Sequence, residues 1–236
     1  MIKEAIILAG GLGTRLRPVV SDTPKCMAPI SDKPFLSYLI FYLQKKGIEN
    51  FIFSVGYMHE IIEDYLKENH HELRYKISME EEPLGTGGGI KLACNKTSGK
   101  NIIVCNGDTL YKIDCNLLSK FHEEQNAACT LSLKPMNQFY RYGSVELNQD
   151  NSIKSFKEKQ FYESGLINGG VYALNVDKFL NKNLPQKFSF EKNYLEENVA
   201  VKNKKPGLYG LIQDKYFIDI GIPEDYKRAQ GELINC

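Results

Sequence analysis

Hydrophobic and polar positions in the first 110 residues alternate between two patterns. Short apolar runs bounded by polar or glycine positions are typical of strands buried in a parallel sheet. Between them lie longer segments of helical character, one of which is opened by Pro34 and closed by Gly47. The predicted strands are residues 4–8, 51–55, 74–78 and 102–105, and the predicted helices are residues 34–43, 59–66 and a third through Ala93. This alternation predicts a mostly parallel sheet with helices on both faces.

The pattern changes after residue 110. Strand-like segments with short connections and two further helices are predicted: strands at residues 127–133, 143–147, 152–156 and 169–174, and helices at residues 190–198 and 224–233. Short connections favour antiparallel pairing, because parallel neighbours need a long crossover. We therefore expect an α/β fold with a Rossmann-like mixed, mostly parallel sheet, in one domain over residues 1–236. Residues 1–110 would form one half, and residues 111–236 would extend the sheet and form a lid over it.

Composition narrows the class of protein. The 236 residues are 42% hydrophobic and 25% charged, with a formal net charge of +1, so no overall field draws the chain to nucleic acid or a membrane. No apolar run approaches the roughly 18 residues of a membrane span, and residues 1–9 begin a strand rather than a signal sequence. Six scattered cysteines without a CxxC pair indicate a reducing compartment. We expect a cytoplasmic protein with core thiols and surface imidazoles rather than a Cys/His metal site.

The segment after the first strand is rich in glycine and cationic residues. Leu8, Ala9, Gly10 and Gly11 are followed by LGTRLRP at residues 12–18, and Lys25 lies seven residues further on. Glycine lets a ligand approach the backbone, whose amides can bind phosphate together with arginine side chains. The segment is not a P-loop, since GK[ST] is absent, and it fails the dinucleotide fingerprint at its third glycine, where Leu16 stands. It predicts a binding site for a polyphosphate.

Two aspartates follow predicted strands that are far apart in the sequence. Asp108 follows the strand at residues 102–105, and Asp219 precedes a helix opened by Pro223. Ligands of open α/β sheets bind at the carboxyl ends of the strands, and Mg²⁺ takes one or two carboxylates together with phosphate oxygens and water. An aspartate in such a place can also simply cap a turn. Convergence of the two carboxylates on one cation requires the tertiary fold to bring them together.

Six motifs occur together, in one order, along essentially the whole chain. They are LAGGLGTRLRP with Lys25, EPLGTGG at residues 82–88, NGD at 106–108, EK at 158–159, NGG at 168–170 and DIGIPEDY at 219–226. In these motifs and their order the chain resembles the sugar-1-phosphate nucleotidylyltransferases. Within that family, EPLGTGG, LINGG at residues 166–170 and YFIDIG at 216–221 make it most similar to the small bacterial D-glycero-α-D-manno-heptose 1-phosphate guanylyltransferases.

The resemblance implies a fold and a reaction. The fold would be that of the nucleotide-diphospho-sugar transferases, with the second half as a sugar-binding lid. An oxygen of a sugar 1-phosphate would attack the α-phosphorus of a nucleoside triphosphate in line, with Mg²⁺ as cofactor and pyrophosphate as leaving group. Because the attacking phosphate is already anionic, catalysis would need positioning and charge neutralisation rather than a general base.

The resemblance also implies roles for particular residues. The nucleotide contacts would be Leu8, Ala9, Gly10, Gly11, Gly13, Thr14, Arg15, Glu80, Pro83, Gly85, Thr86 and Gly107. The catalytic cations would be Arg15, on the departing phosphates, and Lys25, near the α-phosphate, while Asp108 and Asp219 would hold Mg²⁺. The sugar-phosphate ligands would be Gly143, Glu158, Lys159, Asn168 and Gly169. Cys26 stands where the family usually has proline, which loosens the turn that aims Lys25.

The nucleobase is inferred from Glu80, at the position that the family places near the base edge. A carboxylate offers only acceptors, so it can receive both N–H groups of the guanine edge. Uracil or thymine would set a carbonyl against it, at a cost of roughly 1–3 kcal/mol. The hypothesis is that Glu80 or Glu81 selects GTP. One alternative is that these acids face solvent and that backbone groups read the base. Another is that the enzyme is a uridylyl- or thymidylyltransferase for a hexose or amino-sugar 1-phosphate.

A protein of another class, a sensor that binds nucleotide sugars without turnover, would be expected to lack some of four charged residues. Those residues are Arg15, Lys25, Asp108 and Asp219, and all four are present, which favours an enzyme. Its partners would be a nucleoside triphosphate, with GTP favoured, and a sugar 1-phosphate whose identity the residue types do not fix. Formation of a homo-oligomer remains open.

Overall fold

The structure is a computed structural model that describes residues 1–11, 16, 19–20, 22–157, 159–199 and 207–233. Its helices are α1 (Phe35–Lys45), α2 (His59–Asn69), α3 (Gly85–Cys94), α4 (Cys115–Glu124), α5 (Val176–Leu180), α6 (Glu197–Val199) and α7 (Pro223–Glu232). A 3₁₀ turn lies at Lys25–Met27 and a π-helical segment at Phe190–Glu196. The strands of the first half are β1 (Glu4–Leu8), β2 (Pro29–Ile30), β3 (Lys33–Pro34), β4 (Asn50–Val55), β5 (Arg74–Met79), β6 (Asn101–Asn106) and β7 (Thr109–Tyr111). Those of the second half are β8 (Cys129–Phe139), β9 (Ser144–Leu147), β10 (Ile153–Lys157), β11 (Tyr162–Asn175), β12 (Leu208–Ile212) and β13 (Phe217–Asp219).

Nine of the strands in the described part of the chain form one mixed sheet. Its parallel part has the order β6-β1-β4-β5, and because these strands run the same way, their carboxyl ends meet at one edge. Backbone hydrogen bonds close that edge: Gly107 N–H to the Leu8 carbonyl (2.9 Å), Ala9 N–H to Ser54 (2.8 Å) and Glu80 N–H to Val55 (2.9 Å). The segments that follow β1, β4, β5 and β6 are therefore held side by side.

The long strand β11 joins the parallel part to an antiparallel part. It pairs antiparallel with β6, β8 and β9, while β10 and β12 complete the sheet. The register between β11 and β8 shifts between Asn168 and Tyr172. Gly170 in this kink has φ +71°, and a Cβ there would lie 2.7 Å from the Asn106 amide nitrogen, so the kink requires glycine. The predicted α/β fold with a mixed, mostly parallel central sheet is confirmed.

Two apolar cores cover the two faces of the sheet. Successive side chains of a strand point to opposite faces: Ala5 and Ile7 of β1 belong to the core that contains α1 and α2, and Ile6 belongs to the core that contains α3 and α5. All three side chains are fully buried. Burial on both faces explains why this strand is a continuous apolar run rather than an alternating one.

A separate two-stranded ribbon brings the two distant aspartates together. The strands β7 and β13 pair antiparallel, with Asp219 opposite Thr109. Next to that pair, the N–H of Ile220 donates a 3.0 Å hydrogen bond to the carbonyl of Asp108. The two aspartates are therefore brought together by backbone hydrogen bonds between β7 and β13, which the sequence alone does not predict. The strand β7 was not among the predicted strands.

The helix predicted through Ala93 begins at Gly85, so the glycine-rich stretch that a sequence pattern would favour as a turn is the first part of α3. Glycine-rich sequences disfavour helix, but here tertiary contacts compensate. The N–H groups of Gly87 and Gly88 donate to the carbonyl of Phe188 at 3.0 and 3.4 Å. A Cβ at Gly87 would overlap the Phe188 ring, so close packing explains the glycine. The helix α4 and the strand β12 were also not predicted.

The expectation of surface imidazoles is wrong for one histidine. His122 on α4 is only 1% exposed, and its Nδ1 lies 2.9 Å from Oγ1 of Thr130 on β8. Burial, assisted by the charge of Lys178, lowers the pKa of His122 to about 4, so the ring is neutral at physiological pH. The five cysteines in the described residues are buried and unpaired, as expected. The helices of the described ranges include none with the length and apolar character of a membrane span.

Candidate active site

Two crevices open at the carboxyl edge of the parallel strands, and both are lined by Asn106, Asp108 and Glu191. The first crevice contains Lys25 and the described residues that were predicted to bind the nucleotide. These are Leu8, Ala9, Gly10, Gly11, Glu80, Pro83, Gly85, Thr86 and Gly107. The second crevice contains those predicted for the sugar phosphate, together with Asp219: Gly143, Lys159, Asn168 and Gly169. Four other predicted residues, Gly13, Thr14, Arg15 and Glu158, lie outside the described residues. The roles given to all of these side chains stay predictions.

Glycines at the mouth of the first crevice allow the backbone segments to approach closely. A Cβ at Gly10 would lie 3.2 Å from the backbone nitrogen of Gly56, and one at Gly107 would lie 2.7 Å from the carbonyl oxygen of Leu8. Larger residues at these positions would force apart the ends of β1, β4 and β6. The same lack of side chains leaves the backbone accessible to an anionic ligand.

Lys25, Asp108 and Asp219 form a charged cluster between the two crevices. The ammonium of Lys25 pairs with Oδ2 of Asp108 and lies 3.8 Å from Oδ1 of Asp219. Oδ1 of Asp219 also accepts the N–H of Gly221 at 2.7 Å. Burial raises the pKa of Asp219, and the charge of Asp108 raises it further, against the opposing effects of Lys25 and of the Gly221 amide. The two carboxylates repel each other, so this site favours a cation.

The 3₁₀ turn that carries Lys25 is held by backbone hydrogen bonds. The N–H of Met27 donates to Pro24 at 2.7 Å, and the N–H of Ala28 donates to Lys25 at 3.1 Å. Cys26 in the middle of the turn is 3% exposed. Burial, with a smaller effect of Asp108, raises the pKa of its thiol to about 12, so the side chain is neutral. The position that the family usually fills with proline therefore holds a packed, uncharged residue within a defined turn.

Glu80 lines the first crevice, but its carboxylate already has protein partners. Oε2 accepts the N–H of Leu84 at 2.9 Å, and Oε1 accepts a 3.4 Å hydrogen bond from Oγ of Ser54. A carboxylate oxygen has more than one acceptor site, so both oxygens can still receive a ligand N–H. Glu81, the other acid considered for the base, is exposed.

The second crevice is organised by the kink in β11. The amide of Asn168 donates to the Tyr172 hydroxyl at 2.8 Å, and its carbonyl oxygen accepts the N–H of Gly170 at 3.2 Å. The backbone N–H of Asn168 donates to the carbonyl of Gly143 at 3.0 Å. These bonds fix two predicted sugar ligands relative to each other. Lys159 lies on an exposed stretch at the edge of the crevice.

Sequence reasoning missed several residues that line the crevices, among them Asn106, Arg141, Tyr142, Glu191 and Lys192. Arg141 and Tyr142 directly precede the predicted ligand Gly143, so a wider window around that glycine would have found them. Glu191 had no local signal, since it lies among other charged residues of a predicted helix. Its place in the site depends on tertiary structure, because its carboxylate accepts a 2.9 Å hydrogen bond from Thr86.

The donor set at the cluster fits a hard divalent cation. Among the described residues there is no group of three or more His, Cys, Asp or Glu side chains suited to a metal. Mg²⁺, however, usually needs only one or two carboxylates, with phosphate oxygens and water as its other ligands. Asp108 and Asp219 supply two carboxylates, and the proximity of the Lys25 ammonium shows that positive charge is stabilised between them.

Comparison with known proteins identifies the class. The family model described as "Nucleotidyl transferase" matches residues 4–235, so the chain belongs to the nucleotidyl transferase family. The chain is 50% identical, over 98% of each chain, to a D-glycero-alpha-D-manno-heptose 1-phosphate guanylyltransferase of Aneurinibacillus thermoaerophilus. It is 48% identical to the enzyme of the same name from Campylobacter jejuni, over 94% of this chain and 96% of that one.

A solved structure agrees with these relatives. HddC from Yersinia pseudotuberculosis, complexed with GMP-PN, matches with a TM-score of 0.83 at 37% identity, over 98% of this chain and 100% of that chain. The resemblance to sugar-1-phosphate nucleotidylyltransferases is confirmed, and with it the prediction of a nucleotidyltransferase enzyme. The fold is that of the nucleotide-diphospho-sugar transferases.

Proposed function

We propose that this enzyme joins GTP to D-glycero-α-D-manno-heptose 1-phosphate and releases GDP-heptose and pyrophosphate. The observation that carries the proposal is the convergence of Lys25, Asp108 and Asp219 between the two crevices. The choice of guanine and heptose rests on near-full-length identity of about half to two enzymes of that name.

The bonding changes of the proposed reaction are simple. An oxygen of the heptose 1-phosphate forms a bond to the α-phosphorus of GTP, the α–β anhydride bond breaks, and pyrophosphate leaves with the bonding electrons. The nucleophile is already an anion, so the protein's task is to orient two anionic substrates and neutralise their charge. Lys25 lies where the two crevices meet, which suits it to the reacting phosphate. Arg15 on the leaving phosphates and Glu158 on a sugar hydroxyl complete the proposal by family resemblance.

We further propose that Asp108 and Asp219 hold Mg²⁺. When bound, the ion supplies positive charge at the phosphate oxygens between the crevices. The shared backbone ladder of β7 and β13 holds the two carboxylates at this position. Lys25 would neutralise further charge where the two crevices meet, and Gly221 keeps Asp219 oriented through its amide.

The single domain and the cytoplasmic location also remain proposals. One sheet runs through both predicted halves, because β11 of the second half pairs with β6 of the first. This continuity supports one domain with two functional halves. The five buried, unpaired thiols support a reducing compartment.

A pyrophosphate-release panel tests the function. GTP, UTP, dTTP, CTP and ATP are crossed with the 1-phosphates of D-glycero-D-manno-heptose, mannose, glucose and N-acetylglucosamine, each in the presence of Mg²⁺. We expect the highest kcat/KM for GTP with the heptose 1-phosphate. A preference for UTP or dTTP with a hexose 1-phosphate would replace this proposal with the alternative one, and no release from any pair would overturn the enzyme itself.

The variant Glu80→Gln tests the proposed choice of base. The glutamine carbonyl can keep the hydrogen bond from Leu84, while its NH₂ group can donate to a pyrimidine carbonyl. We expect the preference for GTP over UTP to narrow by about 10- to 100-fold, the range of one hydrogen bond to a charged group. The exposed Glu81 offers the matched control Glu81→Gln, which should keep the wild-type ratio. An unchanged ratio in Glu80→Gln would exclude Glu80 as the selecting residue.

A further inference from the structure

Glu191 lies where the two crevices meet, and no role was expected for it. It belongs to the π-helical segment Phe190–Glu196 and lines both crevices, as do Asn106 and Asp108. π-Helical turns are rare and often mark functional sites. A carboxylate in this position lies beside the path along which the two substrates must approach each other.

The Glu191 carboxylate is oriented by protein hydrogen bonds to one of its oxygens. Oε2 accepts from Oγ1 of Thr86 at 2.9 Å and from Oγ of Ser189 at 3.1 Å. Oε1 accepts none of the hydrogen bonds found among the described residues. The side chain is thus held in place while it keeps an acceptor for a ligand in either crevice.

The segment that carries Glu191 is anchored to both substrate regions. On the nucleotide side, Phe188 donates to the Leu84 carbonyl at 2.9 Å, and the N–H of Phe190 donates to Oγ1 of Thr86, also at 2.9 Å. On the side of the second crevice, the Phe190 ring packs edge-on against Tyr172 of β11, with ring centroids 5.1 Å apart. This double anchoring means that Glu191 cannot shift toward one crevice without breaking contacts to the other region.

Carboxylate chemistry limits what Glu191 can recognise. It can only accept hydrogen bonds, and it repels phosphate oxygens. On the proposed function, the donors that border the joined phosphates are hydroxyls: those of the ribose on one side and those of the sugar ring on the other. We propose that Glu191 is a further substrate-binding residue whose Oε1 accepts a hydrogen bond from one of these hydroxyls. It thereby orients that substrate relative to Lys25 and Asp108.

The test combines Glu191→Gln with substrates that lack single hydroxyls. Glutamine can keep the hydrogen bonds from Thr86 and Ser189 through its carbonyl oxygen, but it turns an NH₂ group toward the substrate. We expect kcat/KM for the intact substrates to fall by about 10- to 100-fold. For the analogue without the recognised hydroxyl, the wild type should lose a similar factor, and Glu191→Gln should lose nothing further.

The analogues identify the source of the hydroxyl. If the loss of kcat/KM in Glu191→Gln relative to the wild type disappears with 2′-deoxy- or 3′-deoxy-GTP, the contact is to the ribose. If it disappears with a 2-deoxy sugar 1-phosphate, the contact is to the sugar. Because each comparison is a ratio within one protein, a lower folded fraction of the variant cancels. The control Glu197→Gln changes an exposed acid six residues further along, whose Oε1 accepts from Asn193 at 3.1 Å, and should match the wild type.

A penalty that is the same for every analogue would show a purely structural role, and the absence of any penalty would equally overturn the proposal. The proposed function can fail separately. If another nucleotide and sugar are preferred, the deoxy series is made from that pair. If no pair turns over, the same ratios are measured as nucleotide and sugar-phosphate affinities by calorimetry.

Discussion

The two crevices are neighbours, yet the chain builds them in different ways. The first is formed where parallel strands end, so its residues lie in short contiguous stretches such as residues 8–11 and 106–108. The second is assembled from the β11 kink, the segment around Gly143 and the π-helical segment, none of which follows a strand of the parallel part of the sheet. Phosphate can be bound by backbone and a few cations, which one loop can supply. A polyhydroxylated ligand needs side chains from several directions, which only the tertiary fold can supply.

The variant Asp219→Asn removes one carboxylate from the charged cluster between the crevices, and we expect it to have the largest effect on activity. Loss of one of two paired carboxylates should lower kcat/KM for pyrophosphate release by at least about 100-fold. The free energy of unfolding of the variant, by contrast, should rise. Burial raises the pKa of Asp219, so this group contributes stability that is complete below its unfolded pKa and is lost as the pH rises through its folded pKa.

At pH 7 the ionised carboxylate therefore destabilises the fold, and its removal should raise Tm. A gain of about 1 kcal/mol corresponds to about 2–4 °C in a chain of this size. Asparagine can still accept the hydrogen bond from Gly221, and Lys25 keeps its pairing with Asp108. The gain should shrink as the pH is lowered, because the wild-type carboxyl then becomes protonated and the cost of its buried charge disappears. A variant that is less stable than the wild type at pH 7 would contradict this account of the cluster.

The same comparison explains which parts of the site the sequence reveals. Gly10, Gly107 and Asp108 follow apolar runs, so their position at a sheet edge follows from local pattern alone. The approach of Asp219 to Asp108 depends on the pairing of β7 with β13, and no local pattern predicts a three-residue ribbon. The position of Glu191 depends on the contact between Phe188 and the glycine-rich start of α3, where Phe188 accepts hydrogen bonds from Gly87 and Gly88 and packs on the glycines. Tertiary contacts that override local propensity are what sequence reasoning misses.

His122 lies beneath the antiparallel part and should give the molecule an acid response of opposite sign to that of Asp219. Its pKa is lowered to about 4, so the unfolded chain binds more protons than the folded one between this value and the usual 6.5. Stability is lost as the pH falls through that window, by up to about 3 kcal/mol. We expect His122→Asn, whose amide can still bond to Thr130, to lose less stability between pH 7 and pH 4.5 in urea denaturation.

The matched control is His71→Asn, because it replaces an exposed imidazole rather than a buried one. That variant should keep the acid sensitivity of the wild type, whatever its absolute stability. Equal acid sensitivity in His122→Asn and the wild type would mean that other groups govern the acid response of the antiparallel part. The measurement uses the difference between two pH values, so a constant packing defect at position 122 does not affect it.

Gly85 begins α3 and lies against Phe188, which connects α3 to the π-helical segment; this contact is the link between the two crevices. Among Asp219→Asn, His122→Asn and Gly85→Ala, the last should have the smallest effect. Gly85 has φ +74°, and a Cβ there would lie 2.6 Å from the carbonyl oxygen of Phe188. Strain of this kind costs about 1–3 kcal/mol, measurable as a lower urea midpoint. Because the same carbonyl accepts from Gly87 and Gly88, its displacement should loosen both the start of α3, which lines the first crevice, and the π-helical segment, which lines the second. We therefore expect a higher KM for both substrates.

The control for this change is Gly231→Ala in the last turn of α7, where a Cβ meets no described atom within 4 Å. Alanine is favoured over glycine in a helix, so this variant should be stabilised by at most about 0.5–1 kcal/mol, with unchanged kinetics. The pair separates the general effect of a methyl group from the effect on the link. If Gly85→Ala raised KM for the nucleotide alone, the two crevices would be independent, and the link through Phe188 would only support the helix.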